Sequence, residues 1–275
     1  MPSASVPGAW ARRLRATVYE AAIPLRCSAC CARCSRTRGR LSFARFEILH
    51  GEPVNRFSNR VDAGRRLAAE LRSFQGECPI VVALPRGGVP VGYEVARALH
   101  APLDVWVVRK VGVPWHPELG VGAVAEGGHV YLNQQLLAQI TLSGHELAEV
   151  VKAKQCEVEA RVRLFRSGRP APAVRGRTII VVDDGIATGG TVRAALQALR
   201  ARDPKALILA VPVAARDSLR SLEPEVDQIV CLQIPSNLYA IGLWYEDFKQ
   251  VSDDEVVHLL DRARREQALE PSAVA

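Results

Sequence analysis

The chain has 275 residues, of which 48% are hydrophobic and 24% charged, with a formal net charge of +7. That length holds one large domain or two small ones, and the composition is ordinary for a globular protein, with no apolar run long enough to span a bilayer. The excess positive charge is local: residues 1–50 hold nine arginines and only two acids, Glu20 and Glu47, and setting these aside leaves 27 basic and 27 acidic residues elsewhere. A neutral body with no basic stripe gives no signal for phosphate-backbone binding, so nucleic acid is not an expected partner.

Residues 1–56 read as a basic, Arg- and Cys-rich leader. "CSACCARC" contains two C-x-x-C pairs, Cys27/Cys30 and Cys31/Cys34. Paired thiolates at that spacing can reach one tetrahedral ion, but zinc ribbons separate their two pairs by a longer loop, and here the pairs abut. Four readings stand: a tight metal site, a disordered segment with an incidental cysteine cluster, a transit-like segment poor in acid, or an over-extended start with the true start near Leu49 or Val54. The remaining cysteines, Cys78, Cys156 and Cys231, are scattered, as in a protein of the reducing cytoplasm.

Regular patterning starts near Phe57. Val61, Leu67, Ala68, Leu71 and Phe74 form one helical stripe. "PIVVAL" (79–84) reads as a buried strand, followed by "PRGG" and a helix over 89–100. "PLDVWVVR" (102–109) is the next strand. A glycine- and proline-rich segment, 110–128, reads as a long loop, and "HVYLN" as a short strand. Ser143 with Glu146 three residues on forms a capping box, with Leu142 and Leu147 as a hydrophobic staple, so a helix starts there. "SGRPAPAVRG" breaks the chain. A strand at 177–183, a helix at 190–202, a strand at 206–213, a short helix, a strand at 226–234 and a final helix at 253–266 follow. Residues 266–275 read as a flexible tail. Alternation of this kind predicts an α/β fold, a Rossmann-like parallel sheet with helices on both faces. Ligands on such sheets bind at the carboxyl ends of the strands, so the loops after 84, 109 and 183 should form one site.

The most informative stretch is "VVDDGIATGGT" (181–191). A strand ends in two carboxylates and runs through a small-residue turn into a helix. Helix N-termini carry unpaired N–H groups and a positive dipole end, so they bind phosphate, and Gly189 and Gly190 allow close approach. Thr188 and Thr191 add hydroxyl donors. Asp183 and Asp184 would repel that phosphate, so they must face groups that need acceptors, such as vicinal hydroxyls or a hydrated cation. A ribose 5-phosphate meets both needs. No Walker loop and no G-x-G-x-x-G after a strand occurs.

These residues resemble the type I phosphoribosyltransferase signature for 5-phosphoribosyl-1-pyrophosphate (PRPP). The resemblance covers residues 57–265 and implies that family's fold, with a small hood at about 235–250. It implies that Asp183 and Asp184 hold the ribose hydroxyls and that Ala187, Thr188, Gly189, Gly190 and Thr191 cradle the 5-phosphate. "ALPRGGVPVGYEVA" is similar to the pyrophosphate loop, with Arg86, Gly87 and Gly88 facing the pyrophosphate. The segment 109–128 falls where the family has its flexible catalytic loop, which makes Arg109, Lys110 and Glu118 the implied catalytic residues, with Glu126 a second candidate glutamate. Trp244 and Tyr245 fall in the hood over the base. The implied activity is Mg2+-dependent transfer of the phosphoribosyl group to a nitrogen nucleophile in cytoplasmic nucleotide salvage. Magnesium would be held mainly through PRPP, with water-mediated help from Asp183 and Asp184. The partners implied are PRPP and a small acceptor, with no membrane, and a homodimer is left open. Members that use 6-oxopurines carry an aspartate where this chain has Ala187, so guanine and hypoxanthine are disfavoured; adenine is the modest favourite. The rival reading is a PRPP-sensing regulator without turnover.

Overall fold

A computed structural model of the protein describes residues 45–48 and 56–269, with side chains omitted at 45–48, Pro117 and Glu118. The described residues belong to a compact unit that starts at Arg40. The cysteine cluster at 27–34 lies outside them, as does the tail beyond Leu269.

The main sheet has six parallel strands in the order β1-β9-β8-β7-β2-β3. These are β1 (Arg45–Ile48), β2 (Ile80–Ala83), β3 (Leu103–Val105), β7 (Thr178–Val182), β8 (Ala206–Val213) and β9 (Gln228–Gln233). β1 pairs with β9 inside the segment read as leader, so the sheet begins before Phe57.

Period-two alternation divides the sheet into two faces. Val81, Ala83, Ile180, Val182, Ile208, Ala210 and Val230 join one core with α1 (Arg60–Glu70), α2 (Gly88–Leu99), α4 (Gly144–Arg166) and α7 (Asp253–Leu269). Ile80, Val82, Ile179, Val181, Leu207, Leu209, Val211 and Ile229 pack on the other side against α5 (Gly190–Arg200) and α6 (Arg216–Leu222). Both faces are covered by helices, which is why the central strands β2, β7 and β8 are apolar on both faces, with Thr178 the one polar residue among them. α4 carries the expected capping box: Ser143 Oγ accepts from Glu146 N at 3.1 Å, and the Glu146 carboxylate accepts from Ser143 N at 2.9 Å. A four-residue helix, α3 (Gln134–Leu137), precedes it.

The segment expected to be a loop is instead a hairpin. β4 (Val108–Val113) and β5 (His116–Ala125) pair antiparallel, and β6 (His129–Leu132) completes a separate three-stranded sheet. The single strand expected at 102–109 is thus two, β3 and β4. The glycines suit close pairing: a Cβ on Gly122 would sit 2.2 Å from the Tyr131 carbonyl oxygen. Val111, Val113 and Val121 are buried on the α4 side, while Val108, Ala123 and Ala125 face α5.

β2 and β7 are neighbours in the sheet, but the chain leaves β2 toward β3 and leaves β7 toward β8. The loops after these two strands therefore diverge and open a crevice at their carboxyl ends, the usual ligand position in such sheets.

Candidate active site

All five residues of β7 are buried, and the strand delivers Asp183 and Asp184 into that crevice. Asp183 Oδ1 accepts from the Asp184 amide at 2.9 Å. Asp184 Oδ2 accepts from Arg60 Nε at 2.8 Å, and the Asp184 carbonyl accepts from the Tyr245 hydroxyl at 2.6 Å. Burial pushes the Asp183 carboxyl well above the usual range, and the neighbouring Asp184 charge adds to this. Burial also raises Asp184, opposed by the Arg60 guanidinium.

The loop after β2 packs directly on this pair. A Cβ on Gly87 would lie 2.0 Å from Asp184 Oδ2, and one on Gly88 would lie 2.7 Å from the Val182 carbonyl oxygen. Only glycine lets the two loops share that space. The Leu84 amide donates to the Val182 carbonyl at 2.8 Å and anchors the base of the loop. The Pro85–Arg86 peptide is cis.

The loop after β7 is pinned at Ile186, and the Ala187 carbonyl also accepts from the Ser218 hydroxyl. The Ile186 amide donates to Val213 O, and Ile186 O accepts from the Ala215 amide, both at 2.9 Å. Past that pin, Ala187, Thr188 and Thr191 are exposed. Gly189 has φ +75°, a conformation glycine adopts without a Cβ clash, and it turns the chain into α5. The Cβ position of Gly190 meets open space. The α5 N-terminus therefore presents unpaired N–H groups to an uncovered volume, beside the aspartates.

Cations collect on the other side of the crevice. Arg86 Nη1 is 3.8 Å from Asp253 Oδ1, which also pairs with Arg161 of α4. Arg109 of β4 lies 3.9 Å from Glu157, and its pKa is lowered by burial and by the charges of Arg161 and Arg86. Arg109 thus lies close enough to Arg86 to feel its charge. Lys110 is next along the strand and faces the opposite side. It runs across Gly120, whose Cβ position lies 2.2 Å from Lys110 Cε. The side chain of Glu118, in β5, lies outside the described residues.

A family model for the phosphoribosyl transferase domain matches residues 52–243. The chain belongs to this family. Two Mycobacterium tuberculosis proteins, from strains CDC 1551 and H37Rv and each named "Putative phosphoribosyl transferase", are 45% identical to it over 212 residues, covering 77% of this chain and 48% of theirs. The chain thus spans about half the length of the curated relatives it matches. The crystal structure of TT1426 from Thermus thermophilus is 38% identical, with a TM-score of 0.65, and the match covers 75% of this chain and 98% of that one.

Two of the sequence-based assignments need correction, Tyr245 as part of a platform for the base and Glu126 as a loop base. Tyr245 is 4% exposed, with its ring 5.4 Å from Phe57 and 5.0 Å from Phe248. A ring enclosed this way is a packing pillar and cannot offer its face to a base, and burial with the nearby Asp184 charge drives its hydroxyl pKa far up. Trp244 remains half-buried, packed on the small Phe57–Ala63–Val213–Tyr245 cluster. Glu126 is also excluded as a loop base. Its carboxylate is buried and pairs with Arg166, which is 2% exposed and donates to Asp104 Oδ1 at 2.9 Å and to Val105 O at 2.6 Å.

Sequence reasoning missed Arg60. A lone arginine opening a helix after an Asn cap reads as a solvated charge. The available signal was weak: Asn59 caps α1 by accepting from the Asp62 amide, which fixes where residue 60 starts.

Proposed function

We propose that this chain transfers the 5-phosphoribosyl group of PRPP to a nitrogen nucleophile, a nucleobase-like acceptor, and releases pyrophosphate. The observation that carries the reading is the shared crevice: half-buried acceptors, Asp183 and Asp184, sit between an open helix N-terminus and a glycine loop backed by Arg86 and Arg109. In this reading the α5 N-terminus with Thr188 and Thr191 takes the 5-phosphate. The aspartates take the 2- and 3-hydroxyls, and Gly87, Gly88 and the arginines take the diphosphate. Held in line, the anomeric carbon is exposed to the acceptor on one face while pyrophosphate leaves from the other. Most of the rate gain then comes from positioning and from charge neutralisation of the leaving group. No group of three metal-ligating side chains occurs among the described residues. Two carboxylates suit a hydrated cation held chiefly through the diphosphate, so Asp183 and Asp184 would receive magnesium through its waters, and the ion would neutralise leaving-group charge.

Ala187 supports a narrower statement. A methyl group accepts no proton, so the phosphate loop offers no base to a 6-oxopurine. No helix among the described residues is long and apolar enough to cross a membrane. The proposal sets the reaction in cytoplasmic nucleotide salvage, the setting that the family resemblance implies. The test is pyrophosphate release across a panel of purines, pyrimidines and simple amines. Turnover with adenine or another base lacking the 6-oxo group is expected. Efficient use of guanine or hypoxanthine would overturn the Ala187 argument. PRPP binding without turnover across the whole panel would favour a sensing role.

A further inference from the structure

The Asp184 carboxylate is held by a residue outside every loop considered so far. Arg60 is the first residue of α1, and its side chain is only 11% exposed, against 13% for Asp184. Its Nε donates to Asp184 Oδ2 at 2.8 Å. Its Nη1 donates to the Lys249 carbonyl at 2.7 Å, and its guanidinium lies 3.9 Å above the Phe248 ring. One planar cation thus joins α1, the hood and the strand-end aspartate. The hood grips the same aspartate a second time, through the Tyr245 hydroxyl on its backbone carbonyl.

We propose that Arg60 is a positioning residue for the donor sugar, orienting the Asp184 carboxylate toward the ribose hydroxyls and linking that carboxylate to the hood. The inference rests on the proposed function. An aspartate has little intrinsic preference about its terminal torsion, so a carboxylate at a strand end needs an outside partner to fix it. Arg60 supplies a charge-assisted bond to one oxygen and leaves Oδ1 to accept from a hydroxyl. The guanidinium is itself immobilised by two further contacts, so the bond carries orientation as well as charge. Lysine has no planar fork and cannot hold Asp184 and the Lys249 carbonyl in the same way. Arg60 touches no reacting atom in this scheme. Its effect reaches the ligand only through Asp184, so it should be invisible to a ligand that lacks both the sugar and the cation.

The test is calorimetric titration of the full chain, in metal-free buffer, with two probes, ribose 5-phosphate and pyrophosphate, so that no cation links the second probe to Asp184. Arg60→Met should weaken ribose 5-phosphate by about tenfold or more, the usual scale for losing a charge-assisted bond, and leave pyrophosphate within about twofold. Arg60→Lys should recover part of the loss. In an Asp184→Asn background, Arg60→Met should add about twofold or less, because the two residues act as one unit. Equal weakening of both probes would show a general loosening of the fold and overturn the proposal, as would unchanged ribose 5-phosphate binding. Wild-type protein that binds pyrophosphate but not ribose 5-phosphate would instead overturn the proposed function, and this inference with it.

Discussion

Gly88→Ala is the sharpest structural perturbation available at the crevice. The added methyl would lie 2.7 Å from the Val182 carbonyl oxygen, 2.9 Å from Asp183 Cα and 3.2 Å from Asp183 Oδ1. Non-bonded carbon contacts are comfortable at about 3.5 Å, so the two backbones must separate by roughly 0.5–1 Å. β7 cannot yield, because it is paired on both sides, with β2 and with β8. The movement therefore falls on the glycine loop, which must leave its place against the aspartates. Overpacking of this kind destabilises by about 1–3 kcal/mol. A misplacement near 1 Å at a site that works by positioning reduces turnover by roughly 10–100-fold. The assay is kcat/KM for PRPP with whichever acceptor turns over, alongside thermal denaturation. Gly76→Ala is the control, since nothing lies within 4 Å of its Cβ position, and it should leave both readouts unchanged. Gly88→Ala kinetics within about twofold of wild type would refute the claim that the two loops meet tightly enough to define the donor site.

Three further outcomes are expected. Asp183→Asn should lower activity yet raise thermal stability at neutral pH: burial and Asp184 hold the native carboxyl pKa above its unfolded value, so ionising it opposes folding as pH rises. The gain should shrink as pH falls toward about 4 and vanish below it, where the carboxyl is neutral in both the folded and the unfolded chain, and a gain independent of pH would contradict this. Arg166→Met should destabilise by about 3–5 kcal/mol in denaturant melts, because Asp104 and Glu126 lose their buried cation; a loss under about 1 kcal/mol would refute it. A chain beginning at Arg40 should match the full chain in melting temperature, whereas one beginning at Phe57 should bind PRPP normally but melt lower and aggregate through the bared β9 edge. Identical melting of the two shortened chains would remove β1 from the account.

The strands of the main sheet were legible because burial on both faces forces continuous apolar runs, as in Thr178–Val182 and Ala206–Val213. The phosphate loop was legible because few other needs combine paired acids with Thr-Gly-Gly-Thr at a helix start. The β4–β5 hairpin was not, although Val111, Val113, Val121, Ala123 and Ala125 do alternate. Gly112, Gly120 and Gly122 read as loop residues, while Gly120 and Gly122 let a side chain and a neighbouring strand close up. β1 was missed because four residues beside an arginine-rich segment show too little periodicity. Tyr245 and Arg60 illustrate a different limit. Each gains its role from partners far along the chain, Asp184 in both cases, and sequence position alone carries no trace of that pairing.

The central claim is that the Asp183–Asp184 crevice binds PRPP and releases pyrophosphate from it. The most direct measurement is enzyme-coupled detection of pyrophosphate from the full chain with PRPP, magnesium and an acceptor panel, comparing wild type with Asp184→Asn. The account predicts acceptor-dependent pyrophosphate release that falls by about tenfold or more in the variant. Release at equal rates from both proteins, or no release with any acceptor, would contradict it.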